Sequence, residues 1–493
     1  MNERRWVEPG RAARNGHLSG PSPRAGLANG RAGGEIRFVD ADVLIAGCGP
    51  VGAVLAALLG GRGVRVAVVD PAADAGSPSH PHPRAAVLDA HTQRILRRID
   101  GLAGWDDWAV PLRRSRLLAP DRRPLLTLRL PDGVPAGVML DQPRLERALR
   151  DRLARTQTVR LYAGRSVTAL QQSADRVTVT LDDGSSLTAA WLVGCDGASS
   201  TVRNLIGVAY DGVSYPEPWL VVDARTDEPG TGEPTFSYVL DPARPMVAFE
   251  RPGARRWEWM LLPGEDPAGM TARADKLIRP WADPAALRVE RAAVFTFHAR
   301  TASAWRRGRV LLAGDAAHSM PPFTGQGLGA GLRDVATLSW LLTDAPADLD
   351  RYERERRPAV TRMTRTALRT GRIVLGRNRL AAAALRGVVR TAGLLPGLDA
   401  RVATAAAAPE RLPDGTRQLA DTPLVVDGRR TTLDALLGNR WGVLSGGAGI
   451  LDPETRAWLT AHDAVFADVD GFAQGRVTIV RPDRFIATGV PLG

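Results

Sequence analysis

Lysine is all but missing from this chain. Lys276 stands alone among 65 basic residues, so arginine carries the formal net charge of +12. That composition reads as drift toward arginine rather than a designed basic surface. A nucleic-acid reader gathers its charge into a patch with interleaved aromatics. Here the arginines are spread along the length, with only 351–379 locally dense. Nucleic acid is therefore not expected as a partner, although a positive field still draws in small anions. Cysteine is nearly as scarce. Cys48 and Cys195 lie far apart and match no metal or redox spacing, so no metal site is expected and a reducing, cytoplasmic compartment is the simplest reading. Long apolar runs are missing too, which excludes a membrane-spanning helix and a membrane partner of that kind. Residues 1–35 lack the apolar core of a signal peptide. A disordered tail over 1–36, or a start codon set too far upstream, is the expectation there.

What is present is an ordinary globular composition, 44% hydrophobic and 24% charged over 493 residues, enough for about two or three domains. The apolar run 42–46 flows into Gly47-Cys48-Gly49-Pro50-Val51-Gly52. The segment 53–59 reads as a helix, and 64–69 as a second buried strand ending at Asp70. Strand, tight turn, helix and strand, closed by an acid about 20 residues on, is the context that makes a glycine motif a dinucleotide site. Gly47 permits the turn, Gly49 lets the backbone approach a pyrophosphate, and Gly52 lets helix and strand pack closely. The exposed N–H groups of the helix start attract phosphate, and Asp70 is placed to accept from ribose hydroxyls.

Further along, 140–153 has helical periodicity, and 177–181 alternates before the turn Asp182-Asp183-Gly184. The run 191–193 feeds a second motif, Cys195-Asp196-Gly197-Ala198-Ser199-Ser200-Thr201-Val202-Arg203. From 210 to about 297 the chain is rich in strand formers and proline. Trp219, Phe236, Tyr238, Phe249, Trp257 and Trp259 suit either an antiparallel sheet walling an aromatic pocket or a plain core. A buried strand at 309–313 leads to the third motif, Gly314-Asp315-Ala316-Ala317-His318-Ser319-Met320-Pro321-Pro322, then Gly325-Gln326-Gly327-Leu328-Gly329. A helix over 328–342 and an arginine-rich helical stretch over 349–406 follow, and short strands and turns begin after 413.

In this order the three motifs resemble the single-component flavoprotein aromatic hydroxylases, the p-hydroxybenzoate hydroxylase-like monooxygenases. The resemblance runs from about residue 39 to the C-terminus. It implies an α/β chain: a Rossmann-like FAD-binding domain, an interleaved antiparallel-sheet substrate domain, a helical segment and a C-terminal thioredoxin-like domain. The implied boundaries are 37–210 for the first FAD-binding part, 211–298 for the substrate sheet, 299–412 for the second FAD-binding part with its long helices, and 413–493. The last segment, which includes Arg481-Pro482-Asp483-Arg484-Phe485, resembles the terminal domain of the phenol hydroxylase and 3-(3-hydroxyphenyl)propionate hydroxylase branch. It holds no cysteine, so thioredoxin chemistry is excluded.

Carried over residue by residue, the resemblance puts FAD against Gly47, Gly49, Pro50, Val51, Gly52, Asp70, Arg84, Gln142, Val167 and Asp196. It adds Asp315 on the ribityl hydroxyls, Pro322 (with Pro321) against the isoalloxazine, and Gly325, Gln326, Gly327 and Leu328 at its pyrimidine edge. A helix start there suits a reduced flavin, whose charge gathers at N1. One departure stands out: the family commonly reads Gly-Gln-Gly-Met-Asn where this chain has Gly-Gln-Gly-Leu-Gly, which removes a side chain at Gly329. No catalytic base can be named. His298, at a strand end, and His318, which the family uses structurally, are the candidates.

The chemistry so implied is reduction of FAD by NADPH or NADH, addition of O2 at flavin C4a, and hydroxylation of a phenolic or polycyclic aromatic substrate. Only one strand–turn–helix nucleotide unit is present, so the nicotinamide must reach the flavin across a shared groove. Baeyer–Villiger insertion or epoxidation in polyketide tailoring uses the same oxygenated flavin and stays open. So does a non-catalytic flavoprotein-like binding protein. Halogenation does not fit: Trp257-Glu258-Trp259-Met260-Leu261-Leu262-Pro263 has its proline one residue late, and Lys276 lies outside the expected segment. As partners the resemblance implies a small aromatic substrate and permits a homodimer.

Overall fold

The computed structural model describes residues 40–72, 87–102, 104–132, 136–227, 233–406, 410–447, 451–470 and 477–487. The proposed tail 1–36 and Arg84 lie outside them. The chain shuttles between two sheets. β1 (Ala41–Ala46) is buried on both faces from residue 43 onward, as its apolar run there requires. It passes through the first motif into α1 (Pro50–Gly60) and returns as β2 (Val66–Asp70), parallel to β1. After α2 (Ala90–Arg97) the chain leaves this layer for a hairpin, β3 (Arg114–Leu118) and β4 (Pro124–Arg129). α3 (Gln142–Ala154) brings it back to β5 (Val159–Ala163), beside β2. β6 (Val167–Gln172), β7 (Val177–Leu181) and β8 (Ser186–Gly194) form a meander whose last strand lies parallel to β1.

Beyond α4 (Thr201–Leu205) the chain crosses over again. It lays down β9 (Trp219–Arg225), β10 (Thr235–Val239), β11 (Met246–Arg251) and β12 (Ala254–Met260). Two short helices follow, α5 (Pro267–Ala272) and α6 (Ala274–Ile278), and then β13 (Arg288–Phe295). β14 (His298–Ala302) leads home to β15 (Val310–Leu312), parallel to β8. Among the described residues the first sheet has eight strands with β15-β8-β1-β2-β5 at its heart, and the second has seven, ordered β13-β9-β12-β11-β10-β3-β4.

The second sheet amends the expected antiparallel unit in three ways. The hairpin 114–129 extends it, β10 pairs with β3 in parallel, and the strand-rich stretch contains α5 and α6. Alternation also divides the aromatics differently from expectation. Trp257 and Trp259 point to the rear, into a core with Met270, Ala274 and Ile278, and so wall no pocket. Trp219 is fully buried beside Phe323.

α7 (Gly327–Asp344) is buried along most of its length. The expected long arginine-rich helical run is three helices: α8 (Asp350–Val374), α9 (Arg379–Ala392) and α10 (Leu398–Ala406). Asn378 restarts the second by accepting from the Ala381 N–H at 2.9 Å, and Gly397, at φ 72°, separates the last two. The C-terminal segment contains α11 (Leu433–Leu437), β16 (Gly442–Ser445), α12 (Pro453–Ala461), β17 (Val465–Asp468) and β18 (Val477–Val480). It is joined to the rest by buried contacts: Trp441 stands edge-on to Trp340 of α7 at 5.4 Å, and Arg481 pairs with Glu355 of α8 at 2.8 Å. Among the described residues no helix is long and apolar enough to cross a membrane.

Candidate active site

The three motifs meet where β1, β8 and β15 end side by side, at the carboxyl edge of the parallel sheet, where such sheets bind ligands. Gly47 turns with φ +99°, and a Cβ there would lie 2.6 Å from the carbonyl oxygen of Cys195, so the first and second motifs approach backbone to backbone. A Cβ on Gly52 would collide with the Gly47 carbonyl. Gly49 is different. Its φ of −65° is open to any residue, and nothing lies within 4 Å of a Cβ built on it, so glycine contributes space rather than conformation. Gly49 caps the start of α1, which has no side-chain cap and no acid in its first turn. That leaves a bare positive helix end facing open space.

Asp70 sits at this turn but is largely engaged by the chain. It accepts from the N–H groups of Cys48 and Ala72, the latter at 2.9 Å, and from fully buried Arg150 at 3.0 Å. Sequence reasoning missed this ion pair; its effect is to hold the glycine turn against the end of β2. The second motif is organised in a similar way. Asp196 accepts from the Ser200 hydroxyl and, at 3.0 Å, from the Val202 N–H, while Ser200 caps α4. Burial nonetheless raises the Asp196 carboxyl above its usual range. Arg203 ties this motif to the third by donating to the carbonyls of Ala198 at 2.8 Å and Ala316 at 3.0 Å, with its guanidinium 3.9 Å from the Tyr210 ring centre. Tyr210 in turn donates to the Asp315 carbonyl at 2.9 Å.

Beneath the third motif lies a closed ionic network. His318 Nε2 is 2.6 Å from Asp334, which also accepts from Arg356 at 3.1 Å and from the Gly314 N–H at 3.2 Å. Arg356 continues to Glu410, Arg333 lies 3.4 Å from Glu410, and Arg333 pairs with Asp89 at 2.7 Å. Burial alone would raise the Asp334 carboxyl, but the charges of His318 and Arg356 hold it below the ordinary range. His318 is 2% exposed and absent from the cavity lining, so it positions the motif and cannot meet a substrate. Gly329 belongs to this network as well. A Cβ there would press on Arg333 and Thr92 at 3.0 Å, so the missing side chain leaves room for Arg333.

A cavity of about 640 Å³ runs from these motifs to the second sheet. Gly47, Gly49, Pro50, Val51, Asp70, Gln142, Val167 and Asp196 line it, as do Asp315, Pro322, Gly325, Gly327, Leu328 and His298. Gly52 and Gln326 do not; Gly52 packs behind the turn, and Gln326 is the residue before α7. Gln142 is half turned to the chain, donating to Glu146 at 2.8 Å. His298 has Ser214 as a partner at 2.9 Å. On the far wall, Phe236 and Phe249 are two of the aromatics proposed for a pocket, whereas Val221, Val247, Arg256, Glu258, Arg291, Phe295, Phe297 and Phe323 were not read from the sequence. The signal for Arg256 and Glu258 was there, in the alternation of charge with tryptophan along 255–259. The thiols offer no reactive group, since burial pushes Cys48 up to about 12 and Cys195 well above its usual value.

The residues fit FAD. Two helix ends without side-chain caps or first-turn acids, those of α1 and α7, face one cavity, one across the open space at Gly49 and the other beyond Pro322. Together they offer backbone donors to a pyrophosphate and to an electron-rich ring edge.

Comparison with known proteins agrees with this geometry. Residues 40–367 match the family model described as FAD binding domain. The 3-(3-hydroxy-phenyl)propionate/3-hydroxycinnamic acid hydroxylase of Mycobacterium sp. (strain JLS) is 33% identical, over 91% of this chain and 89% of its own. The enzyme of that name from Escherichia coli O81 (strain ED1a) is 30% identical over 91% and 92%. Among solved structures, the anhydrotetracycline hydroxylase OxyS from Streptomyces rimosus is 29% identical with a TM-score of 0.73, covering 91% of this chain and 95% of that one. Aklavinone-11 hydroxylase, solved with FAD and aklavinone, shares the fold at 24% identity and TM-score 0.74, over 92% and 96%.

Proposed function

The chain belongs to the FAD binding domain family as a flavoprotein monooxygenase, an FAD-dependent aromatic hydroxylase, and from that premise we propose its reaction and site. It uses NADPH or NADH and O2 to hydroxylate a phenolic or polycyclic aromatic substrate. One observation carries this reading: a single cavity joins the three-motif cradle to a sheet face set with phenylalanine. Bound FAD would carry the reducing equivalents of NAD(P)H to O2 and so activate it, and the protein does the rest. The bare end of α1, with Gly47, Gly49, Pro50 and Val51, receives the pyrophosphate, while Gly52 lets the helix come close enough. Asp70 and Val167 flank the adenosine end, and Gln142 and Asp196 flank the middle. Asp315 would accept from the ribityl hydroxyls, Pro322 would meet the flavin ring, and Gly325, Gly327 and Leu328 would present the start of α7 to its pyrimidine edge, with Gln326 set back from the cavity. The phenylalanines position an aromatic ring and keep water out.

The same reading makes 37–210 and 299–412 the FAD-binding parts and 211–298 the substrate sheet. It makes 413–493 a thioredoxin-like domain with a packing role, supported by β16 pairing in parallel with β17 and antiparallel with β18. We read the enzyme as cytoplasmic and as a candidate homodimer. The test is NADPH and NADH oxidation against phenolic acids and polycyclic phenols, with product mass to count inserted oxygen. With a substrate in hand, anaerobic stopped-flow should show flavin reduction accelerated at least tenfold, which needs about 1.4 kcal/mol of differential stabilisation. Equal rates with and without the aromatic would overturn the reading of a substrate-gated hydroxylase.

A further inference from the structure

The second sheet turns one face to the cavity, and at its centre that face is charged. Glu258 on β12 lies level with Val221 of β9 on one side and Val247 of β11 on the other, so its lateral neighbours are apolar. One step along the same face stands Arg256, opposite Asp223, which is opposite Arg291 of β13. Asp223 joins the two guanidinium groups, at 3.2 Å from Arg256 and 2.8 Å from Arg291, and is not part of the cavity lining. Arg256 also lies 3.4 Å from Glu258. Among the described lining residues of this sheet, Glu258 is the one acid.

A structural role explains this poorly. The sheet's rear face already has an apolar core, and a buried carboxylate, even one beside a guanidinium, often costs more than an apolar residue of its size. We propose that Glu258 accepts the proton of the substrate's phenolic hydroxyl, while Arg256 and Arg291 hold the phenolate oxygen so formed. This deepens the reading of the chain as a phenol-directed hydroxylase and rests on it. The phenol O–H bond breaks, an O–H bond forms on Glu258, and no electrons leave the pair. Two guanidinium groups facing two carboxylates are neutral beforehand. Once Glu258 is protonated the cluster carries one positive charge against the phenolate, so no net charge is created in an apolar cavity. A phenolate ring is richer in electrons than a phenol and reacts faster with an electrophilic oxygen. Burial raises the Glu258 carboxyl above its usual range, the direction that makes a carboxylate a stronger base. The charged and titratable groups around it are Arg256 on its own strand, Asp223, Arg291, Tyr238 of β10 and, elsewhere in the cavity, His298.

The proton balance tests this. The FAD-loaded protein is mixed with 4-nitrophenol in weak buffer, at a pH below the probe's own ionisation. The difference spectrum reports bound phenolate, and an indicator dye reports released protons. The expected wild-type result is a phenolate band with no net release. A probe that stays protonated overturns the proposal, and so does a band accompanied by about one proton per probe bound. In Glu258→Gln the band should vanish, or persist with release of about one proton. A variant that keeps both the band and the silent balance shows another acceptor, with His298 first in line, and overturns Glu258. Should that variant fail to fold, His298→Ala takes its place: a band and silent balance kept there leave Glu258 as the acceptor, and their loss overturns it. If no phenol stimulates NAD(P)H oxidation, the hydroxylase reading falls and takes this proposal with it. Stimulation with a probe that binds but never ionises sinks Glu258 alone. Failure of the probe to bind at all also counts against the subsite.

Discussion

Two clusters of arginine and carboxylate flank this cavity, built from the same groups and placed to opposite effect. Around Asp334 the central charges are enclosed: Asp334 is fully buried, Arg356 is 1% exposed, and each guanidinium and the imidazole already has a carboxylate of the chain as its partner. On the second sheet the cluster of Asp223, Arg256 and Arg291 opens through Glu258 onto the aromatic cavity. Enclosure makes the first a fastening, because every group there needs its partner. Opening makes the second a receptor, because one acid faces space that a ligand can fill. An ionisable cluster thus declares its role by where its last member points.

The largest effect should come from breaking the enclosed cluster. Asp334→Ala leaves Arg356 and His318 buried beside a lost charge, and removing one partner of a buried pair typically costs about 3–5 kcal/mol. Urea unfolding should show that loss with FAD bound and with it stripped. A wild-type midpoint would mean that the network does not hold the third motif.

A second aspartate sharpens the contrast. Asp315 lies in the same motif but lines the cavity. Asp315→Ala should leave the fold near wild type while weakening FAD by about 1.5–3 kcal/mol, the usual worth of a charged hydrogen bond. Flavin content after gel filtration and a fluorescence titration would check this. A variant that retains FAD with unchanged affinity would remove Asp315 from the flavin site.

How much of this was readable beforehand follows from the range of each signal. The glycine motifs were legible because their demands are local: a turn at Gly47, close packing at Gly52, space at Gly49. Their convergence was legible from strand–motif–helix order and family resemblance. Pairings across the fold were not. Asp70 reads as a ribose acceptor alone, and its second partner, Arg150, lies 80 residues on. His318 reads as a candidate base until Asp334 appears, although a lone aspartate in an apolar helical pattern was a visible clue. On β12 the tryptophans drew the eye to the wrong face. Alternation says that the residues between them, Arg256 and Glu258, share the opposite side, but which side met the cavity depended on α5 and α6 covering the other.

The smallest effect is a difference in sign between the two clusters as pH changes. For Asp334, burial is outweighed by His318 and Arg356 and the folded carboxyl titrates low; for Asp483 of the C-terminal segment, burial is outweighed by Arg481. Such groups contribute stability that is present above the unfolded carboxyl range and lost as pH falls through their folded values. Glu258 is raised by burial, so its contribution runs the other way. It is fully present below the unfolded value and lost as pH rises through the folded one. Glu258→Gln removes that loss. The variant should therefore melt slightly above wild type at alkaline pH, by roughly one or two degrees, and the gap should narrow as the pH is lowered toward the ordinary glutamate range. Differential scanning fluorimetry of both proteins across that range, without substrate, is the measurement. A constant gap would show that Glu258 does not titrate across the range scanned, and with it would go the raised carboxyl. A gap that widens in acid would place Glu258 with the enclosed carboxylates, as a fastening rather than a receptor.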